Sequence, residues 1–319
     1  MAKYPKLTGE IETALLQINT VAGRLEALGN ILGELDNESV AEGLLTGDFK
    51  VEVVEGQVVI QRGIPLLFDR HPCRIRPRNL AANICNPNWN FHLDRIALDH
   101  YERLARMEEY CGTGNVISVS EFQERTEAGH AKAMALPGCA NLAKAVRLPL
   151  CLSRAEIHDL GQALDELYLP TVEQSYKAQF PQRSFTNCLH GQLAKQVSIV
   201  SGSHYETLLQ ALSRGTVVAN YYPNTLQGYS VHAQREQMAT LPEGFILSGP
   251  LDTAMGWVMY PDVLGRDYKT PGYDCSAVQW QSSARSLCFG ACVGEADFGR
   301  RANLSDACGR YSGGLLFLG

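Results

Sequence analysis

Two short stretches hold residue types that could pair a nucleophile with a base: Cys188 and His190 in FTNCLHG, and Ser203 beside His204 in SGSHYE. A thiol or hydroxyl next to an imidazole suits acyl transfer or thiol chemistry, because the imidazole can draw off the proton. Adjacency in sequence does not build such a dyad, since the partners must meet in space. Both pairs are therefore read as structural or surface residues, with a cysteine- or histidine-dependent enzyme kept as an alternative. Asp94, Asp99, Glu102, Glu108 and Glu109 lie beside His92 and His100 and offer metal-ligand types, but their pattern fits the solvated face of a helix. Ten cysteines, at 73, 85, 111, 139, 151, 188, 275, 288, 292 and 308, include no CxxC pair, so a structural zinc of the usual spacing is not expected. They are read as reduced thiols, many of them buried. There is no GxSxG, GxxxxGK[ST], HExxH or EF-hand loop, and no GxGxxG after a strand. No catalytic residue, metal or cofactor is assigned.

The elements that must position these side chains change character along the chain. From Ile11 to Leu35 apolar residues recur at spacings of three and four, which predicts an amphipathic helix and offers a homo-oligomer seam of about three and a half heptads. Alternation at Phe49, Val51 and Val53, a Glu55-Gly56 turn and Val58 to Ile60 predict a β-hairpin. Residues 70–90, with Arg74, Arg76 and Arg78 among three prolines, read as a solvated irregular connection. Helices are predicted over 91–110, over 121–146 with a break at Pro137-Gly138, and over 153–179, where Ser153 and Glu156 form a capping box and Pro170 should break or kink the run. Beyond about residue 180 short strand-like runs dominate: QVSIV (196–200), TVVANYY (216–222), GFILSG (244–249), MGWVMY (255–260), SLCFGACV (286–293) and GLLFLG (314–319), with a helix at 204–213.

Net charge is −6, so the chain lacks the basic field of a sequence-independent nucleic-acid binder. No stretch reaches the roughly 18 apolar residues of a membrane span, and the N-terminal MAKYPKLTGE lacks the apolar core of a secretory signal. A cytoplasmic protein is expected on that ground, with surface or virion display left open.

The segment 282–319 has an unusual alphabet. All 8 Lys, 16 Gln, 6 Met and 3 Trp of the chain lie before Ser282, although about four or five of them would be expected in a window of this size. An asparagine AAY codon whose adenines are replaced at random reaches most amino acids but never Lys, Gln, Glu, Met or Trp. That replacement is the signature of a diversity-generating retroelement, with Glu295 explained as a fixed position. Within the window Leu287, Phe289, Ala291 and Val293 alternate with Ser286, Cys288, Gly290 and Cys292, a half-buried strand with one face free to vary.

The order Trp280-Gln281-Ser282-Ser283, SLCFGACV, a glycine- and polar-rich stretch with Arg300-Arg301, and Gly313-Gly314 before LLFLG resembles the end of C-type-lectin-like domains related to formylglycine-generating enzyme. It is most similar to the retroelement-diversified variable proteins of that family, closely from Trp280 to the end of the chain and loosely over the strand-rich part before it. The resemblance implies a ligand-binding surface made by exposed Arg285, Cys288, Cys292, Asp297, Phe298, Arg300, Asn303, Ser305, Asp306, Arg310 and Tyr311, with Leu315 to Leu318 in the core. The catalytic cysteine pair of formylglycine-generating enzymes is not carried over, because Cys288 and Cys292 have a different spacing.

The expectation is an α+β protein: residues 1–150 a helical region with a β-hairpin, and residues 151–319 a C-type-lectin-like mixed domain. Its expected function is non-catalytic binding of a protein or glycan through a diversified face at about 282–312. A virion or assembly subunit stands beside the enzyme as a further alternative.

Overall fold

A computed structural model of the chain describes residues 66–76, 82–84, 86–112, 117–292 and 294–319, together with the backbone of two strands before them. Those strands, β1 (Phe49–Val54) and β2 (Gln57–Arg62), pair antiparallel as the alternation predicts. The predicted helix and oligomer seam at 11–35 lie outside the described residues, as do Arg78, Cys85 and Val293.

Two helices follow. Asp99 caps α1 (His100–Cys111) by accepting the Glu102 N–H, and Ser118 caps α2 (Val119–Ala135) through the Glu121 N–H. Residues 91–99, predicted helical, carry no helix. The break at Pro137-Gly138 is present, and a short 3-10 turn (Ala140–Lys144) leads into β3 (Leu148–Leu152). The predicted capping box at Ser153 does not form. Asp159 caps instead, taking the Gln162 N–H at 3.1 Å and starting α3 (Leu160–Ala163). A π-turn, Leu164–Tyr168, joins α3 to α4 (Leu169–Gln179). Pro170 does not end the helix, because the wider turn before it absorbs the missing N–H and leaves Pro170 in the first turn of α4.

The rest of the chain supplies β4 (Ser184–Asn187), β5 (Val197–Ile199), α5 (Tyr205–Arg214), β6 (Val217–Gln227), α6 (Val231–Gln237) and β7 (Phe245–Leu247). Then come α7 (Pro250–Met259), α8 (Pro261–Leu264), β8 (Gly272–Cys275), β9 (Val278–Trp280), β10 (Ser286–Ala291), β11 (Glu295–Arg301) and β12 (Tyr311–Leu318). MGWVMY, predicted as a strand, lies mostly in α7. Pro250 and the Asp252 side chain start that helix, and burial on every side removes the polar face that would betray a helical period.

Helices and one large mixed sheet make this an α+β protein. The sheet runs β3-β6-β12-β8-β10-β11-β4, with β7 paired to the far half of β12. β12 is antiparallel to β6 and β7 and parallel to β8; β11 is parallel to β4. A register shift between Gly313 and Leu315 interrupts β12, and a Cβ on Gly314 would lie 2.3 Å from the Tyr221 ring, so only glycine fits there. β6 is buried on both faces: Tyr221 points to α7, while Asn220 and Tyr222 meet Thr126 and His130 of α2. Trp257 of α7 stacks on Phe289 with centroids 5.8 Å apart, and Phe289 meets Phe298 at 4.8 Å.

The expected boundary at 150 falls inside β3, and one hydrophobic cluster holds Phe68, Leu104 and Phe122 together with the core of the later strands. Arg103 of α1 also forms a two-pronged pair with Asp262 of α8 at 2.7 and 2.8 Å. Arg74 corrects the solvated-loop reading of its stretch. It is 6 % exposed, and its guanidinium donates to the carbonyls of Leu67 and Ile75 and to the Thr240 hydroxyl. Among the described residues no helix is long and apolar enough to cross a membrane.

Candidate functional site

β10 and β11 form an antiparallel hairpin in which Phe289 opposes Phe298, Cys288 opposes Gly299 and Gly290 opposes Asp297. Directly opposed residues share a face. The inner face therefore carries Leu287, Phe289, Ala296 and Phe298, with exposed Arg300 opposite Leu287 at its edge, and the outer face carries Cys288, Gly290, Asp297, Gly299 and Arg301. β8 extends the outer face with Asp274, opposite Cys288, and β4 extends it with Thr186, beside Asp297. Cys188 follows β4, its N–H bonded to the Phe298 carbonyl at 3.0 Å. Nothing lies within 4 Å of where a Cβ on Gly299 would stand, while Thr186 and Cys188 are exposed, so this strip is an open shelf floored by glycine.

One end of the shelf is built on a buried ion pair. Arg301 Nε lies 3.0 Å from Asp274 Oδ1, too bent for a good hydrogen bond, and its guanidinium stacks 4.0 Å from the Tyr311 centroid. Gln234 Nε2 donates to Asp274 Oδ2 at 3.0 Å, and the Ser276 hydroxyl donates to Gln234 Oε1. Burial pushes the Asp274 carboxyl up to about 6 against the pull of Arg301, and burial likewise pushes the Tyr311 hydroxyl up to about 12. Asp297 is raised by its own burial and then by Glu295.

Between β11 and β12 the chain has no regular structure yet is pinned. Leu304 is 2 % exposed and its carbonyl accepts the His232 N–H. Asn303 Oδ1 takes the Ser305 N–H at 3.2 Å, and the Gly309 carbonyl takes a Gln227 amide hydrogen at 3.0 Å. Asn303, Ser305, Asp306 and Arg310 are exposed on this loop, and Arg310 lies over the Phe91 ring at 5.1 Å. Arg285 and Arg300 come together at another corner, both over Trp280.

The expected surface thus divides. Arg300, Cys292, Asn303, Ser305, Asp306 and Arg310 are exposed; Arg285, Asp297 and Tyr311 are half-buried. Phe298 and Cys288 are corrections. Phe298 is fully buried because its register puts it opposite Phe289 on the inner face, and Cys288, 6 % exposed, lies between Asp274 and Gly299 on the covered end of the shelf. Ser286, expected on the free face, is buried and donates to the Cys275 and Val278 carbonyls. Asp274 and Gln234 are not singled out by the sequence, although an acid inside the buried strand GYDC is itself a signal that a partner must exist.

The two candidate dyads are not assembled. His190 Nδ1 lies 3.2 Å from Asp165 Oδ1, and Asp165 also receives the Gly191 N–H and the Asn187 amide. Burial, Asp297 and Glu295 raise the Cys188 thiol, the opposite of what a thiolate nucleophile needs. Ser203 Oγ accepts the Tyr205 N–H, and His204 Nδ1 faces the Phe245 carbonyl at 3.0 Å. Asp99 caps α1, and Asp94, in the irregular stretch before it, pairs with Arg266. Among the described residues no group of three metal-ligating side chains converges. The nine described cysteines are all free thiols, five of them buried.

No protein-family model, curated protein or solved structure matches the chain.

Proposed function

We propose that this is a non-catalytic ligand-binding protein whose segment at about 282–312 is a diversified recognition face on a C-type-lectin-like domain. The observation that carries the reading is the division of labour within that segment. Leu287, Phe289, Phe298 and Leu304 anchor it in or against the core, whereas Asp297 projects from the shelf, Arg300 from the Trp280 corner on the opposite side of the hairpin, and Asn303, Ser305, Asp306 and Arg310 from a loop held by the Leu304 and Gly309 carbonyls. A fold that fixes the backbone and frees the side chains can accept many sequences at those positions without losing its shape. Exposed arginines and a half-buried tyrosine supply contact area and directional hydrogen bonds of the kind recognition surfaces use.

The test of diversification is genomic. A near-identical copy of the coding segment for 282–314, differing almost only at adenines and close to a reverse-transcriptase gene, is the expected finding; absence of both overturns it. The binding face is tested by a library randomised at Asp297, Arg300, Asn303, Ser305, Asp306 and Arg310. Most members should keep the parental melting temperature, and selection should yield binders to unrelated targets. A library that mostly unfolds defeats the reading.

A further inference from the structure

Trp280 ends β9 at a corner where it is 2 % exposed, and the groups over its ring are cationic. The Arg285 guanidinium carbon lies 5.6 Å from the ring centroid and that of Arg300 lies 5.9 Å away. An indole attracts a guanidinium to its face and leaves the planar N–H edge available. Neither arginine is ion-paired with a carboxylate among the described residues; Arg285 gives one N–H to Gln281 Oε1 at 2.6 Å. The segment 282–319 holds four arginines against three carboxylates.

The backbone under the pair is held in a costly shape. Gln281 has φ 60° and Lys195 has φ 58°, left-handed values that side-chain-bearing residues seldom adopt. Their segments are tied together: the Gln281 N–H donates to the Gln196 carbonyl at 2.7 Å, and the Trp280 indole N–H to the Gln192 carbonyl at 3.3 Å. The segment holding exposed Gln192, Lys195 and Gln196 is thereby bonded through its backbone to Trp280 and Gln281, the residues that Arg285 contacts. Asp159 is close to Lys195, but its oxygens are engaged by the backbone N–H groups of Lys195 and Gln162.

We propose that this corner is an anion site for an acidic glycan, whose sulfate or carboxylate groups bridge Arg285 and Arg300. Guanidinium edges match such oxyanions with paired hydrogen bonds, and exposed Gln192 and Gln196, on the segment bonded to Trp280 and Gln281, carry amides of the donor-and-acceptor type that pairs with sugar hydroxyls. The inference rests on the reading of the C-terminal segment as a recognition segment, and adds the chemical class of ligand for its Trp280 corner, which lies across the hairpin from the Asp297 shelf.

The experiment measures fluorescence anisotropy of a labelled sulfated octasaccharide titrated with the full chain. Binding should weaken at least tenfold in Arg285→Ala/Arg300→Ala and stay within twofold in Lys132→Ala/Lys144→Ala, which lowers net charge equally at exposed sites elsewhere. Equal loss in both double variants, or none in the first, overturns the site. An oligoglutamate peptide of the same charge should bind at least tenfold more weakly than the octasaccharide; parity overturns the glycan class in favour of an acidic protein. If the octasaccharide does not bind, the anion site falls, while the recognition face stands or falls separately on the library and the genomic search.

Discussion

Cys288 and Phe289 are neighbours in β10, and their side chains enter two different environments. Phe289 faces a wall of aromatic rings, Trp257, Phe298 and Tyr273 among them, and its stability is a matter of filled volume. Cys288 faces Asp274, Arg301 and an open glycine floor, where stability depends on satisfying a few charges. The same hairpin therefore has a face that forbids variation by packing, and a face that forbids it only where a buried charge must be met. The freedom of a position depends on which side of this line it lies, more than on its distance from the end of the chain.

Truncating the inner face should cost most. Phe289→Ala is expected to destabilise the protein by about 4 kcal/mol in urea titration, since a large ring leaves a cavity that its neighbours cannot close. A loss of less than about 1 kcal/mol would mean the two faces are not distinct. Next comes the floor of the outer face: Asp274→Ala should cost about 3 kcal/mol by leaving Arg301 largely buried without its partner, and Asp274→Ala/Arg301→Met should recover part of it. No recovery would assign the cost to Gln234 and Ser276 rather than the ion pair.

The two buried acids predict a third, smaller effect. Asp252, which takes hydrogen bonds from Ser248, the Gly249 N–H and Tyr205, is raised by burial to about 7, as Asp274 is to about 6. A carboxyl raised in the folded state binds its proton more tightly there than in the unfolded chain. Its stabilising contribution is full below the ordinary carboxylate range and is lost as pH rises through 6 to 7. Calorimetry from pH 4 to 8 should show this decline, and Asp252→Asn should flatten it by more than about 1 kcal/mol. An unchanged slope would place the titration elsewhere. The smallest effects belong to the exposed loop: Asn303→Ala, Ser305→Ala, Asp306→Ala and Arg310→Ala should each stay within about 0.5 kcal/mol by thermal melting. A cost of about 2 kcal/mol at any of them would move that residue to the constrained side.

Local patterns are legible where one face alone is buried. The hairpin of β1 and β2, the helix α5 and the inward set Leu287 and Phe289 all follow from period. Phe298 is misplaced by the sequence because its orientation depends on the register with β10, and nothing within β11 states which residue opposes Phe289. Residues 255–260 are misread because a helix buried all round and a buried strand have the same apolar texture. Arg74 is placed in solvent because its three acceptors come from residues 67, 75 and 240, a constellation only the tertiary fold assembles. At the candidate site the exposed loop residues are legible by composition. The pair Asp274–Arg301 is not, since its members lie on strands separated by the whole of β9 and β10.

The place of β12 has a consequence for how such a protein is made. β6, β7 and β8 are all synthesised before the strand that joins them, so a nascent chain holds three unsatisfied strand edges until translation has passed through residues 282–310. A frameshift within that segment would leave those edges bare and mark the product for aggregation or degradation. Completing the fold would thus act as a reading-frame check, sparing only chains decoded in register as far as β12.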